Sequence, residues 1–132
     1  MYLVNSMTYQ LKLQHNKGRF ILRVLSTGGQ VVYPGLYKAI VVNNQDYQRR
    51  NRIQVRIPFL HGISQSAGGM SNDSLPWALP CSFFTSDPPL PVGTIVWVMF
   101  EGGIPTKPIY MGYLLKFSWE DLINENNNIQ NS

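Results

Sequence analysis

Apolar and polar positions alternate over several stretches of this chain, and the places where alternation fails are as informative as those where it holds. Arg52-Ile-Gln-Val-Arg-Ile-Pro58 alternates cleanly. Ile53, Val55 and Ile57 fall on one face and Arg52, Gln54 and Arg56 on the other. That is the pattern of a strand with one buried face and one wet or salt-bridged face. Tyr37 to Asn43, β-branched and introduced by a Pro34-Gly35 turn, predicts another strand. Thr94 to Phe100, closing on Glu101, predicts a third, and here the pattern changes. Thr94, Val96, Val98 and Phe100 share one face and Ile95, Trp97 and Met99 the other, and neither face is polar. A sheet face left to water carries polar residues, so both sides of this strand need a cover. A Gly-Gly-Ile-Pro turn follows and Ile109 to Leu115 returns, so that Gly93 to Gly112 reads as a hairpin. Its second face is expected to be covered in part by another protein.

The remaining elements are weaker. Arg19 to Leu25, after the Asn16-Lys17-Gly18 turn, favours a strand over a short helix through its β-branched content. Before it, alternation is confined to the surroundings of Tyr9-Gln-Leu-Lys-Leu13, and residues 1–34 read as an arm or extra strand. Phe59 to Pro80 is a long loop rich in Gly, Ser, Asn and Pro, of the length at which loops are functional or disordered. A strand is expected from Trp77 to Phe84, ended by Asp87-Pro-Pro-Leu-Pro91. Ser118-Trp-Glu-Asp121 has the form of a capping box and predicts a short helix from Trp119 to Glu125, followed by a frayed Asn-rich tail. Five short strands in meander order with Gly and Pro punctuation predict an all-β fold. The expected architecture is a small five-stranded OB-like barrel over residues 35–116, with the short helix and polar tail over 117–132.

Composition sharpens this picture in one respect. Of 132 residues only 14% are charged while 44% are hydrophobic, a combination that leaves much of the surface unsuited to water. The charge is also divided. Residues 1–56 carry nine Lys and Arg against Asp46 alone, a local charge of +8, and residues 57–132 carry two against six acids, a local charge of −4. Such asymmetry suits a nucleic-acid face, or two ends that complement neighbours in an assembly.

Catalytic and metal chemistry find little support. The lone Cys81 forms no internal disulfide, and with His15 and His61 it makes no zinc set, so no cofactor is expected. His61 and Cys81 lack the orienting third group that a nucleophile and base require. Asp87 and Glu101 as a glycosidase pair have the same weakness, Glu101 sitting where a strand meets water. Ser26-Thr-Gly-Gly-Gln30 lacks the spacing of a phosphate loop and reads as a turn. No signal peptide opens the chain and no run approaches membrane-spanning length, so synthesis in the cytosol and no stable membrane insertion are expected. The Arg49-Arg50-Asn51-Arg52 cluster on a barrel is the feature that favours single-stranded nucleic acid. Nothing in the sequence aligns aromatic side chains with it, and nucleic acid is therefore the secondary reading.

One set of segments, taken together, is more specific. Tyr37-Lys-Ala-Ile-Val-Val-Asn-Asn-Gln-Asp46 is followed by Arg52-Ile-Gln-Val-Arg-Ile-Pro58, Pro76-Trp-Ala78, Pro91-Val-Gly-Thr-Ile-Val-Trp-Val-Met-Phe-Glu-Gly102 and Lys107-Pro-Ile-Tyr-Met-Gly112. In this order and spacing, over residues 35–115, they resemble the OB-fold domain at the start of the central-spike (tail lysozyme) protein of contractile-tail phages and the related spike proteins of type VI secretion. Where the family has Pro and Gly in its first hairpin, this chain has Tyr47 and Asn51, and Asn tolerates the left-handed conformation that Gly supplies. The resemblance implies an OB barrel at the centre of a tail baseplate, in a homotrimer, joining a hub protein above to a spike or tip protein below. The sequence runs seventeen residues past the match, so no muramidase or needle domain is expected, and no small-molecule substrate. Trp77, Ile95, Trp97, Met99 and Tyr110 are the expected partner-contact residues, with Arg50, Arg52 and Arg56 as their polar companions.

Overall fold

A computed structural model describes residues 9–16, 19–26, 31–82 and 88–131 of the protein. Two sheets are formed. The first is antiparallel in the order β1 (Tyr9–Asn16), β2 (Arg19–Ser26), β3 (Val31–Val32), with Asn16 opposite Arg19. The second is a closed barrel of β4 (Tyr37–Asn43), β5 (Ile53–Arg56), β6 (Trp77–Pro80), β7 (Ile95–Phe100) and β8 (Pro108–Tyr113). A short helix α1 (Pro58–His61) follows β5, and α2 (Trp119–Asn131) ends the chain. The far end of the strand expected from Trp77 to Phe84 lies outside the described residues, and β6 itself spans Trp77–Pro80.

The strands do not follow one another around the barrel as a meander. The order is β4-β5-β6-β8-β7: β8 pairs with β6 in parallel, Leu79 opposite Ile109, while β7 turns back to pair with β4, Tyr37 opposite Val98. The interior is narrow and is filled by β-branched and small side chains. Ala39, Val41, Ile53, Val55, Ile57, Ala78, Val96 and Val98 are fully buried, with Phe100 and Tyr110 at the ends. The Tyr110 hydroxyl donates to the Asn51 carbonyl at 2.9 Å, so the one polar atom this ring brings inside has a partner.

Two outer walls of the barrel are covered by the chain itself. On β5, Gln54 and Arg56 were expected in water, yet they are 6% and 3% exposed, so the second face of that strand is not wet. The segment after it folds back over both. Gln54 Nε2 donates to the carbonyls of Leu75 (2.9 Å) and Asn72 (3.2 Å). Arg56 Nη1 donates to the carbonyls of His61 and Gly62, and Nη2 to Met70 O and Asn72 Oδ1. The long loop is therefore built around a guanidinium. Its neck is tight: a Cβ on Gly69 would lie 2.7 Å from both the His61 and Ser64 carbonyl oxygens. Gly69→Ala is expected to cost about 1–3 kcal/mol, because backbone rather than a mobile side chain must move. A urea melt of the variant checks it, and an unchanged midpoint would show that the neck gives way freely.

The second covered wall lies over β4 and β7. Ser118 caps α2: its N–H and Oγ both donate to Asp121 Oδ2, and its Oγ accepts from the Asp121 N–H at 3.1 Å. These bonds hold the Asp121 carboxyl below the usual carboxylate range. The helix does not fray at Glu125 but runs on to Asn131, since Leu122 and Asn126, one turn apart, are both buried. Lys38 ties helix to barrel. Its Nζ lies 2.6 Å from the Glu125 carboxylate and rests against the rings of Phe117 (4.6 Å) and Trp97 (5.5 Å). Much of the second face of the Gly93 to Gly112 hairpin is thus closed off within the chain, Ile95 being 1% exposed and Trp97 half-buried.

Candidate functional site

The β4–β5 loop, Asn44 to Arg52, is braced around one carboxylate. Asp46 accepts the backbone N–H of Gln48 on Oδ1 and those of Arg50 and Arg52 on Oδ2, at 2.8 to 3.1 Å. The same carboxylate takes the Arg52 side chain through Nε (3.1 Å) and Nη2 (2.8 Å). These donors hold the Asp46 carboxyl well below the usual carboxylate range and push Arg52 upward. So wound, the loop puts two residues other than glycine in the left-handed region, Arg49 at φ 55° and Asn51 at φ 58°. Asn51 tolerates it, as its place in the hairpin required. Arg49 does so at a cost of about 1–2 kcal/mol.

The braced guanidinium then organises two rings. Arg52 Cζ lies 5.1 Å from the centroid of Tyr47 and 5.2 Å from that of Trp77, and the rings meet edge to face at 5.9 Å. Trp77 is half-buried, while Tyr47 stands 73% exposed. Arg49, Arg50 and Lys107 are exposed beside them and form no ion pair among the described residues. Between this loop and the β7–β8 loop, Glu101 to Lys107, runs a cleft of about 320 Å³ lined by Arg50, Trp77, Glu101 and Lys107 and, from the strands below, by Leu79 and Ile109.

Below this loop face lies the wall of β6, β8 and the outer edge of β7, for which the described residues provide no cover. Leu79, Ile109 and Met99 are cross-strand neighbours in one row over three strands, with Leu79 and Met99 each 37% exposed. Met111 (44%) and Cys81 extend it.

The eight expected contact residues therefore separate. Ile95, Tyr110 and Arg56 are enclosed within the single chain, where Tyr110 and Arg56 have internal bonds, and present nothing to a neighbour. Trp97 sits under α2 beside Lys38. Trp77, Arg50 and Arg52 come together on the loop face, and Met99 belongs to the bare wall. Tyr47, Asp46, Lys107, Leu79, Ile109 and Met111 were not singled out. Asp46 alone carried a signal, an acid two residues before a hairpin turn and six before an arginine, the spacing of an Asx turn with a side-chain clamp.

A family model, the type VI secretion system/phage-baseplate injector OB domain, matches residues 37–115, more than half of the chain. The chain belongs to this family. The matched span begins at the first residue of β4 and ends two residues past β8, so the injector OB domain is the closed barrel itself, with the β1–β3 sheet and α2 outside it. Membership gives the chain a structural role associated with the baseplate and spike, among proteins that assemble with one another. A search of characterised proteins found no match to the chain.

Proposed function

We propose that this injector OB domain is a non-enzymatic virion component of a contractile tail. It sits at the baseplate hub or central spike as a homotrimer, made in the host cytoplasm and built into the particle. It joins a hub protein above to the membrane-puncturing tip below and passes force between them. The observation that carries the reading is the coincidence of the family match with the closed barrel. A barrel without open edges transmits load without offering strands for stray pairing.

The bare wall supports it. Leu79, Ile109, Met99 and Met111 form a sheet face without the polar residues that water requires, while the walls of β5 and of β4 and β7 are closed by the chain's own loop and helix. Methionine and aliphatic side chains in register suit a packed subunit contact. Met99 is the residue of the sequence-derived set that acts here, with Trp97 at its border.

Light scattering of the purified chain, alone and mixed with its hub and tip neighbours, tests the reading. The expected masses are those of a trimer or of a complex. Met99→Glu with Met111→Glu, both at exposed positions, is expected to reduce the mass to one chain while leaving the thermal midpoint within a few degrees. A wild-type chain that stays monomeric and ignores both neighbours overturns the proposal, as would muramidase activity in the pure protein.

A further inference from the structure

We infer that the loop face built from Tyr47, Arg49, Arg50, Trp77 and Lys107 binds single-stranded nucleic acid, a role separate from assembly through the bare wall. Position comes first. In an OB barrel the second and third strands, flanked by the loops between strands one and two and between strands four and five, form the face that takes oligonucleotides. Here those are β5 and β6, the Asn44–Arg52 loop and the Glu101–Lys107 loop; residues 61–75 close the wall of β5, so the open part is the cleft between the two loops beside β6.

Composition comes second. Single strands are held by rings on which bases stack and by cations that track the phosphates. Tyr47 and Trp77 supply the rings, 5.9 Å apart, and Arg49, Arg50 and Lys107 the cations. Arg52 is not one of those cations, because Asp46 offsets its charge; it acts as a clamp that fixes the rings. Glu101 is the acid that lines the cleft, and the three exposed cations outweigh it.

Rigidity comes third. An exposed tyrosine on a hairpin tip would ordinarily be free to sweep solvent. Five hydrogen-bonding groups on Asp46 and a left-handed arginine at Arg49 instead hold this tip in one shape. Strain kept in a loop that carries an exposed ring points to a ligand for the ring. Leu79 and Ile109 of the bare wall border the cleft as well, but the exposed tips of the two loops carry a ring and three cations, which favours a polyanion with flat bases over an apolar protein surface.

The test is fluorescence anisotropy of a labelled fifteen-nucleotide oligo-dT titrated with the full chain. Saturable binding is expected at 50 mM salt and roughly twentyfold weaker binding at 200 mM, the slope of about three neutralised phosphates. Tyr47→Ala, at an exposed position, is expected to weaken binding about tenfold, the loss of one stacked base. Arg50→Glu with Lys107→Glu should remove it, and Met99→Glu with Met111→Glu should leave it intact. Absence of saturable binding at 50 mM overturns the inference. So does equal binding to a duplex of the same length that ignores Tyr47→Ala, which would be ion exchange by a basic chain. Weaker association with a hub neighbour in Tyr47→Ala, with oligo-dT binding unchanged, would make the face a protein dock and overturn it equally.

Discussion

Arg56→Ala is expected to lower stability by roughly 3–5 kcal/mol, the largest effect of any single polar substitution in the barrel. The side chain is 3% exposed and meets no carboxylate among the described residues. Its Nη atoms satisfy three backbone carbonyls and the Asn72 amide oxygen, and burial alone lowers its pKa. Truncation takes a donor from four acceptors at the neck of the loop, of which His61 O keeps the Met70 N–H. A cation with no anion is the costly half of a buried pair, and the chain accepts it because one planar fork reaches four oxygens at once. Arg56→Lys is expected to recover less than half of the loss, since an ammonium has three donors and no fork. Arg50→Ala, at the exposed surface, should change stability by under about 0.5 kcal/mol. Urea unfolding measures all three, and limited proteolysis between residues 62 and 75 should accelerate in Arg56→Ala alone. A loss below about 1 kcal/mol would mean that water replaces the guanidinium without difficulty.

Acid is expected to loosen the same region. His61 is 6% exposed, its Nδ1 accepts the Ile57 N–H at 2.9 Å, and burial together with the Arg56 charge lowers its pKa to about 4. The folded chain therefore keeps His61 neutral where the unfolded chain, titrating near 6.5, binds a proton. Between about pH 6.5 and pH 4 the unfolded state holds more protons, so stability falls as pH falls through that window and is complete above it. The expected loss is roughly 2–3 kcal/mol by pH 4. Asp46, whose carboxyl is depressed, contributes in a lower window: its stabilisation is present above about pH 4 and fades below it. His61→Gln, which offers an acceptor that does not titrate, should flatten the curve between pH 6.5 and 4.5. Chemical denaturation at half-unit pH steps separates the two windows, and a wild-type curve without slope above pH 4.5 would refute the His61 assignment.

What could be read from the sequence was local. The β4 boundaries followed from β-branched content, and the Ser118–Asp121 cap from its three-residue spacing, because both depend on neighbours in the chain. Asn51 kept its left-handed turn for the same reason. The fate of outward side chains was not legible, since alternation says which face a residue is on and nothing about what lies over it. Gln54 and Arg56 look wet until residues 61–75 fold across them, and Trp97 looks available until α2 and Lys38 lie beside it. The length of α2 was missed because Asn is a poor helix former; Leu122, Asn126 and Ile129, spaced four and three apart, line one side of it. The loop face escaped because Tyr47 and Trp77, which meet each other and Arg52, are thirty residues apart in the chain.

The strand order of the barrel also bears on how the chain reaches this state. β4 finds one neighbour, β5, across a short loop, but its other neighbour is β7, with Tyr37 pairing to Val98 and Ile40 to Ile95. The two seams that close the cylinder, β4–β7 and the parallel β6–β8, thus join residues far apart in sequence. Such topologies carry a high contact order and fold in milliseconds to seconds rather than microseconds. Until closure, the row of Leu79, Ile109 and Met99 does not exist as a surface. Under the proposed assembly, subunits that meet through it would recognise only chains whose barrel has already closed, so that closure would act as a checkpoint on assembly.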